Sequence, residues 1–240
     1  MKQEENFTFK LTPRLQCIAD MVPEGVRIAD IGTDHAYIPI YLIKKGIASY
    51  AIASDLRPGP VARAVENVQR YGLMDSIDIR LGDGLEAIKR DEVDVIIVAG
   101  MGGILITEIL DASKSLLSNI KRLILQPMIA QKEVRMWLLE HNFAIIDEEL
   151  VAEGHKIYNV IVAEPGEQKF EKEIYYSIGK KLIEKRDPLL VQWINKSINT
   201  MKKIVMQLED NHSDDSRMQM EEYKKKIWEY KKIKEMIERE

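Results

Sequence analysis

Apolar and polar positions along the chain fall into two regimes. Up to residue 165, short runs of Ile, Val, Leu and Ala alternate with amphipathic stretches; beyond it no strand-like run remains, and Lys and Glu dominate. The organising run is Val26-Arg27-Ile28-Ala29-Asp30-Ile31, which ends in Gly32-Thr33-Asp34. Such a run fits a strand covered on both faces of a parallel sheet. Pro39 marks the first turn of a following helix, with Ile40, Leu42 and Ile43 on its apolar face. The same alternation predicts strands at 49–55, 77–81, 93–99 and 122–127. Helices are predicted at 13–22, 58–71, from the glycines at 102–103 to about 117, and at 132–140. The 77–81 strand alternates in polarity, which places it near a sheet edge, whereas 93–99 is apolar enough to be central. Runs at 143–150 and 156–163 are too close for an intervening helix and form an antiparallel hairpin. The expected fold is α/β: five parallel βα units closed by a reversed strand.

Glu164-Pro165-Gly166 marks a boundary, dividing the chain into 1–165 and 166–240. In the second part 171–185 reads as one helix, and Pro188 starts another with Leu190, Trp193, Ile194, Ile198 and Met201 on one face. A polar turn at 210–216 leads to a last helix striped by Met220, Tyr223, Ile227 and Tyr230. Two stripes joined by a short turn predict an antiparallel coiled coil.

Composition narrows the function classes. The formal net charge of -4 argues against non-specific binding of nucleic acid by the whole surface. Cys17 is the single cysteine, so an intrachain disulfide and a cysteine-rich zinc site are both excluded. No His, Cys, Asp and Glu grouping has metal-site spacing, so no metal is expected. The opening Met-Lys-Gln-Glu-Glu has no apolar signal core, and no run is long enough to span a bilayer. A cytoplasmic monomer with no membrane contact is the expectation.

Chemistry gathers at the strand ends. Asp30-Ile31-Gly32, Asp55, Asp83 and Gly100-Met101-Gly102-Gly103 follow four successive strands, and in a doubly wound sheet these ends line one crevice. Gly32 is followed by Thr33-Asp34-His35-Ala36 without the further glycines of a dinucleotide turn. Asp30 and Asp34 would repel a pyrophosphate. S-adenosylmethionine, with an ammonium, a ribose diol and an adenine, suits the acids better. Asp30 is placed to hold the amino group and Asp55 the ribose hydroxyls. Asp83 is placed to accept from the adenine amine while the Gly84 amide meets a ring nitrogen.

Five parallel units with a reversed strand resemble the class I, Rossmann-like S-adenosylmethionine-dependent methyltransferases. More closely, Ala29-Asp30-Ile31-Gly32-Thr33-Asp34-His35-Ala36-Tyr37-Ile38-Pro39, Gly82-Asp83-Gly84-Leu85, Ala99-Gly100-Met101-Gly102-Gly103 and Leu123-Ile124-Leu125-Gln126-Pro127 resemble the bacterial tRNA (adenine-22-N1)-methyltransferase family. That resemblance spans nearly the whole chain, since the family also has a C-terminal coiled coil. It implies methyl transfer from S-adenosylmethionine to N1 of a tRNA adenine. It also implies that Leu11 and Arg14 help to cover the cofactor. Met128 departs from the family pattern, where a polar residue is expected.

Gly100-Met101-Gly102-Gly103 offers close approach rather than a clamp for an exocyclic amine, which suits an adenine N1 whose lone pair is already nucleophilic. Asp34 is the candidate for stabilising the cationic product, and His35 for orienting Asp34 or touching the base. The competing readings are that Asp34 caps the helix at Pro39, that His35 is a wall residue, and that Tyr37 is core. His141, His155 and His212 read as solvent or turn residues. Met101 reads as packing beneath the adenine. The lysines at 224–226, 231, 232 and 234, with Tyr223, Trp228 and Tyr230, suit a phosphate backbone, but the interspersed Glu residues equally suit a solvated face. Arg57 and Arg63 are further candidates for phosphate contact. The alternatives to tRNA methylation are a catalytically silent RNA- or partner-binding module and a methyltransferase for another acceptor.

Overall fold

The computed structural model describes residues 9–209 and 213–239, and the chain divides after Lys169 into two compact units. The first unit carries β1 (Val26–Ile31), β2 (Ala48–Asp55), β3 (Ile77–Leu81), β4 (Val95–Met101), β5 (Arg122–Pro127), β6 (Phe143–Glu153) and β7 (Lys156–Pro165). Its helices are α1 (Pro13–Asp20), α2 (Tyr37–Lys44), α3 (Pro58–Arg70), α4 (Gly103–Ala112), α5 (Lys114–Leu117) and α6 (Gln131–Glu140). The strands form one seven-stranded sheet in the order β3-β2-β1-β4-β5-β7-β6. The pairings β3–β2, β2–β1, β1–β4 and β4–β5 are parallel, while β7 runs antiparallel between β5 and β6. The edge place of β3, the central place of β4 and the reversed strand agree with the sequence pattern.

Successive strand residues alternate between two covered faces. Ile28, Ala51, Val95, Ile97, Ile124 and Val162 pack with Ile18 of α1, Ile40 and Leu42 of α2, and Ala64 and Val68 of α3 in one cluster. Helices α4 and α6 pack against each other, α4 also lying on β4 and β5 and α6 on β6.

Three elements differ from the sequence reading. β4 runs on through Gly100 to Met101, with an irregularity between Ala99 and Met101, so the expected turn begins two residues later. The third parallel strand lacks its crossover helix: residues 82–94 form turns. There the Arg80 guanidinium takes the Ala87 carbonyl (2.6 Å) and the Glu92 carboxylate (2.7 Å), while Leu85, Ile88 and Val93 are buried. Anchoring at those points replaces a helical ladder. The helix expected to reach residue 117 is broken at Ser113 into α4 and α5.

In the second unit α7 (Ile174–Ile178) and α8 (Lys180–Glu184) replace the single helix expected there, separated by Gly179, and α9 (Leu190–Glu209) and α10 (Asp214–Arg239) follow. α9 buries Leu190, Ile194, Ile198 and Met201, the predicted stripe. Trp193, near the start of α9, stacks on Tyr230, late in α10, with ring centroids 6.1 Å apart, so the two helices run antiparallel. The polar segment expected as a turn already belongs to α10 from Asp214; residues 210–212, His212 among them, lie outside the described residues. No helix among the described residues is long and apolar enough to cross a membrane.

The closing hairpin is tied down by ionic contacts rather than apolar packing alone. Fully buried Arg135 of α6 donates from Nε to Glu148 Oε1 of β6 (2.8 Å) and from Nη2 to Asn159 Oδ1 of β7 (2.6 Å). Removing one partner of such a pair strands a charge and costs about 3–5 kcal/mol, whereas an apolar replacement of both is close to neutral. Arg135→Met should therefore lower the urea midpoint strongly, and Arg135→Met with Glu148→Met should recover most of it. A double variant as unstable as the single one contradicts this.

Candidate functional site

The site begins at the end of β1. The Asp30 side chain is buried, and burial raises its pKa from 3.8 to about 6, with a hydrogen bond from Thr33 opposing the rise. The Thr33 hydroxyl also accepts the Ala36 N–H (3.0 Å). Gly32 and Thr33 donate their N–H groups to the Ser54 carbonyl at 2.8 and 2.9 Å, which pins the turn over the end of β2. Gly32 has φ +76°, where a side chain is strained, and a Cβ there would overlap the Met101 Cε. The turn thus lets the Met101 side chain pack at main-chain level beside an acid held in a dry place.

A cavity of ≈ 420 Å³ opens there, lined by Arg14, Asp30, Gly32, Asp34, His35 and Gly100, among others. Asp34 does not cap α2. That helix has no side-chain cap, and Ala36 at its N-cap adopts φ 54°. The Asp34 carboxylate instead pairs with Arg63 through Oδ1 and lies 3.4 Å from His35 Nε2 through Oδ2. Asn67 Nδ2 donates to the His35 carbonyl (3.1 Å) and lies 3.4 Å from its Nδ1. The His35 ring stacks on Tyr37 with centroids 4.9 Å apart. Tyr37 is 37% exposed, so it belongs to the cavity rim rather than the core. His141 stacks on Trp137 (4.1 Å) and reaches its carbonyl, away from this cavity.

Arg14 of α1 crosses the far side of the cavity. Its backbone N–H donates to Glu153 Oε2 (3.0 Å), its Nη1 donates to Gln126 Oε1 (2.8 Å), and its guanidinium lies over the Tyr158 ring (5.3 Å). Its Nε is buried without a hydrogen-bond partner. Burial works to raise the Glu153 pKa, but hydrogen bonds from Thr12 and the Arg14 N–H, with the Arg14 charge, leave it below the ordinary value.

The other candidates sit further along the same sheet edge. Asp55 accepts the Arg57 N–H (2.8 Å), and its carbonyl accepts the Gly82 N–H (3.1 Å), which brings β2 and the segment before Asp83 together. Asp83 is exposed and Gly84 adopts φ +51°. Met101 backs the Gly32 turn, and Leu11 is half-buried against the core cluster. Sequence reasoning missed Gln126, which holds Arg14, and Glu153, which lines the cavity. Gln126, a polar residue at the C-terminal end of β5 where the other site groups gather, carries the available signal; Glu153 lies in the part of β6 that the sequence pattern gives to a turn.

The buried Asp30 carboxylate suits an ammonium, and the Arg14 guanidinium among the same lining residues suits a carboxylate. Sheet order, reversed strand and acidic turn together define a class I S-adenosylmethionine-dependent methyltransferase. The chain belongs to the tRNA (adenine(22)-N(1))-methyltransferase family, whose model matches residues 28–234. It is 47% identical over 159 residues to the tRNA (adenine(22)-N(1))-methyltransferase of Bacillus subtilis (strain 168), covering 66% of this chain and 67% of that one. The crystal structure of Streptococcus pneumoniae Sp1610 in complex with S-adenosyl-L-methionine superposes with TM-score 0.85 at 34% identity. That match covers 93% of this chain and 99% of the other. The M. capricolum TrmK structure in complex with S-adenosyl-homocysteine superposes with TM-score 0.81 at 27% identity, covering 95% of this chain and all of that one.

Asp30 has a pH consequence. Between pH 4 and 6 the folded chain keeps a proton that the unfolded chain has lost, so its contribution to stability falls as pH rises through that window. Above pH 6 the buried charge costs about 3 kcal/mol. Asp30→Asn should therefore raise the denaturation midpoint at pH 8 and leave it nearly unchanged at pH 4, while abolishing uptake of S-adenosylhomocysteine. Retained uptake, or an equal gain at both pH values, contradicts the assignment.

Proposed function

We propose that this chain transfers the methyl group of S-adenosylmethionine to N1 of an adenine in tRNA, at the position 22 for which its family is described. One observation carries the reading: the family match runs from β1 into α10, so the cavity and the helical unit share one family pattern. The sulfonium of S-adenosylmethionine supplies an activated methyl group. Everything else falls to the chain's own residues.

Asp30 takes the amino group, and its position in the cavity wall supports this. Asp55 takes the ribose hydroxyls. Asp83 and the Gly84 N–H take the adenine. Gly32, Gly100 and Met101 shape the floor, while Leu11 and Arg14 cover the amino-acid end. Adenine N1 is unprotonated near neutral pH, so in-line positioning matters more than proton removal. Asp34 stabilises the positive charge that develops on the ring, and His35, 3.4 Å away, holds its carboxylate in place. Arg63 shares that carboxylate and would swing toward a phosphate when RNA arrives.

Residues 1–165 act as the cofactor domain and 166–240 as the part that positions RNA, in the cytoplasm where tRNA is found. Lys232 lies 3.8 Å over the exposed Trp228 ring, a cation beside a stacking surface, which supports an RNA role for α10. Lys224 and Lys234 instead pair with Glu221 and Glu238, as a solvated helix face would.

The test is transfer of labelled methyl from S-adenosylmethionine to purified tRNA, followed by mapping of the labelled nucleotide. A single N1-methylated adenine is expected; label on another acceptor, or none, contradicts the reading. Asp34→Ala should bind S-adenosylhomocysteine as the parent does and lose on the order of a hundredfold in kcat. Full activity would leave Asp34 only its ion pair with Arg63.

A further inference from the structure

The two loops that follow β4 and β5 are locked to each other by main-chain bonds. The Met128 N–H donates to the Met101 carbonyl (2.8 Å), and the Gly103 N–H donates to the Ile129 carbonyl (2.9 Å). A Cβ on Gly103 would collide with the Ala130 carbonyl oxygen and come 2.7 Å from that of Ile129, so the approach requires glycine. Ala130 completes the lock in the left-handed region at φ 59°.

The interlocked loops and the first turn of α4 together present aliphatic side chains to solvent. Ile129 is 68% exposed, and Ile104, Leu105 and Met128 are each more than a third exposed. The Ile129 Cγ1 stands 3.9 Å from the point a Gly102 Cβ would occupy, so its side chain lies over the loop that continues from Gly100 at the cavity wall. An exposed apolar patch held this firmly marks a binding surface. The sheet order places Asp30, Asp55 and Asp83 on the β1–β2–β3 half, which leaves the β4–β5 half, and this patch, on the acceptor's side of the crevice.

The acceptor supplies the reason for aliphatic groups there. N1 lies on the pairing edge of adenine, and a base in folded RNA reaches a protein cavity only by leaving its stack. The gap it leaves is an apolar slot between base faces, and Ile, Leu or Met side chains fill such slots where proteins unstack nucleic acid. We propose that Ile129, flanked by Met128 and Ile104, is the wedge that enters the stack beside the target adenine and holds that adenine out for methylation. This rests on the tRNA reading above. A preformed loop suits the task, because a flexible one would lose ordering entropy with each RNA bound.

The experiment compares Ile129→Ala and Ile129→Met with the parent on two RNAs. One is intact substrate tRNA; the other carries an abasic nucleotide in place of the neighbour on which the target adenine stacks. Ile129→Ala should lose about tenfold or more in kcat/KM on intact tRNA, and Ile129→Met should stay within about threefold. S-adenosylhomocysteine affinity should be unchanged in both variants. On the abasic tRNA the parent and Ile129→Ala should converge to within about threefold, because that adenine is already loosened. Equal loss on both RNAs, or no loss on either, overturns the wedge while leaving tRNA methylation standing. An Ile129→Asp variant that is fully active but breaks a dimer in sedimentation overturns it in favour of a self-association surface. No transfer by the parent to either RNA overturns the methylation reading and the wedge with it.

Discussion

A carboxylate held out of water at the end of β1 sets the terms for the rest of the structure. Asp30 is buried, its pKa is pushed up to about 6, and a Thr33 hydroxyl opposes the rise. A group in that state is costly to the empty protein and valuable to a cation that reaches it. The Gly32 turn, with its positive φ and Met101 packed against its main chain, lines the same cavity.

The sheet order turns this local arrangement into a site. β1 lies between β2 and β4, so the chain leaves it in both directions and the crevice opens where those paths diverge. On one side stand the acids suited to a nucleoside and its amino-acid tail. On the other stand Gly100, Gln126 and the interlocked loops after β4 and β5. Arg14 reaches that second half from α1, meeting Gln126 of β5 and Glu153 of β6, and the reversed β7 brings Tyr158 beneath its guanidinium. The hairpin therefore closes the sheet and also supplies the far wall of the cavity.

Much of this was legible from residue order. Consecutive apolar runs located the parallel strands, Pro and Gly located helix starts and ends, and the lack of space for a helix after residue 150 identified the hairpin. The acids at strand ends named the crevice. What escaped the reading was set by contacts between residues distant in sequence. The missing helix before β4 depends on Arg80 gripping Ala87 and Glu92. The break at Ser113 and the division at Gly179 interrupt stretches whose apolar spacing is continuous. Capping competed with a catalytic role for Asp34 because it precedes α2, yet Thr33 meets that turn and Asp34 faces Arg63 and His35. Gln126 and Glu153 join the site only because α1 folds across the sheet end, a placement no local pattern encodes.

The most direct test of the account is the proton count on cofactor binding. Calorimetry of S-adenosylhomocysteine with the full chain at pH 6, repeated in buffers of different ionisation enthalpy, reads that count. Half-protonated Asp30 must lose its proton to meet the ammonium, so about half a proton should be released per molecule bound, falling toward none by pH 7 to 7.5. Tight binding at pH 6 with no proton released would show that the amino group is held elsewhere.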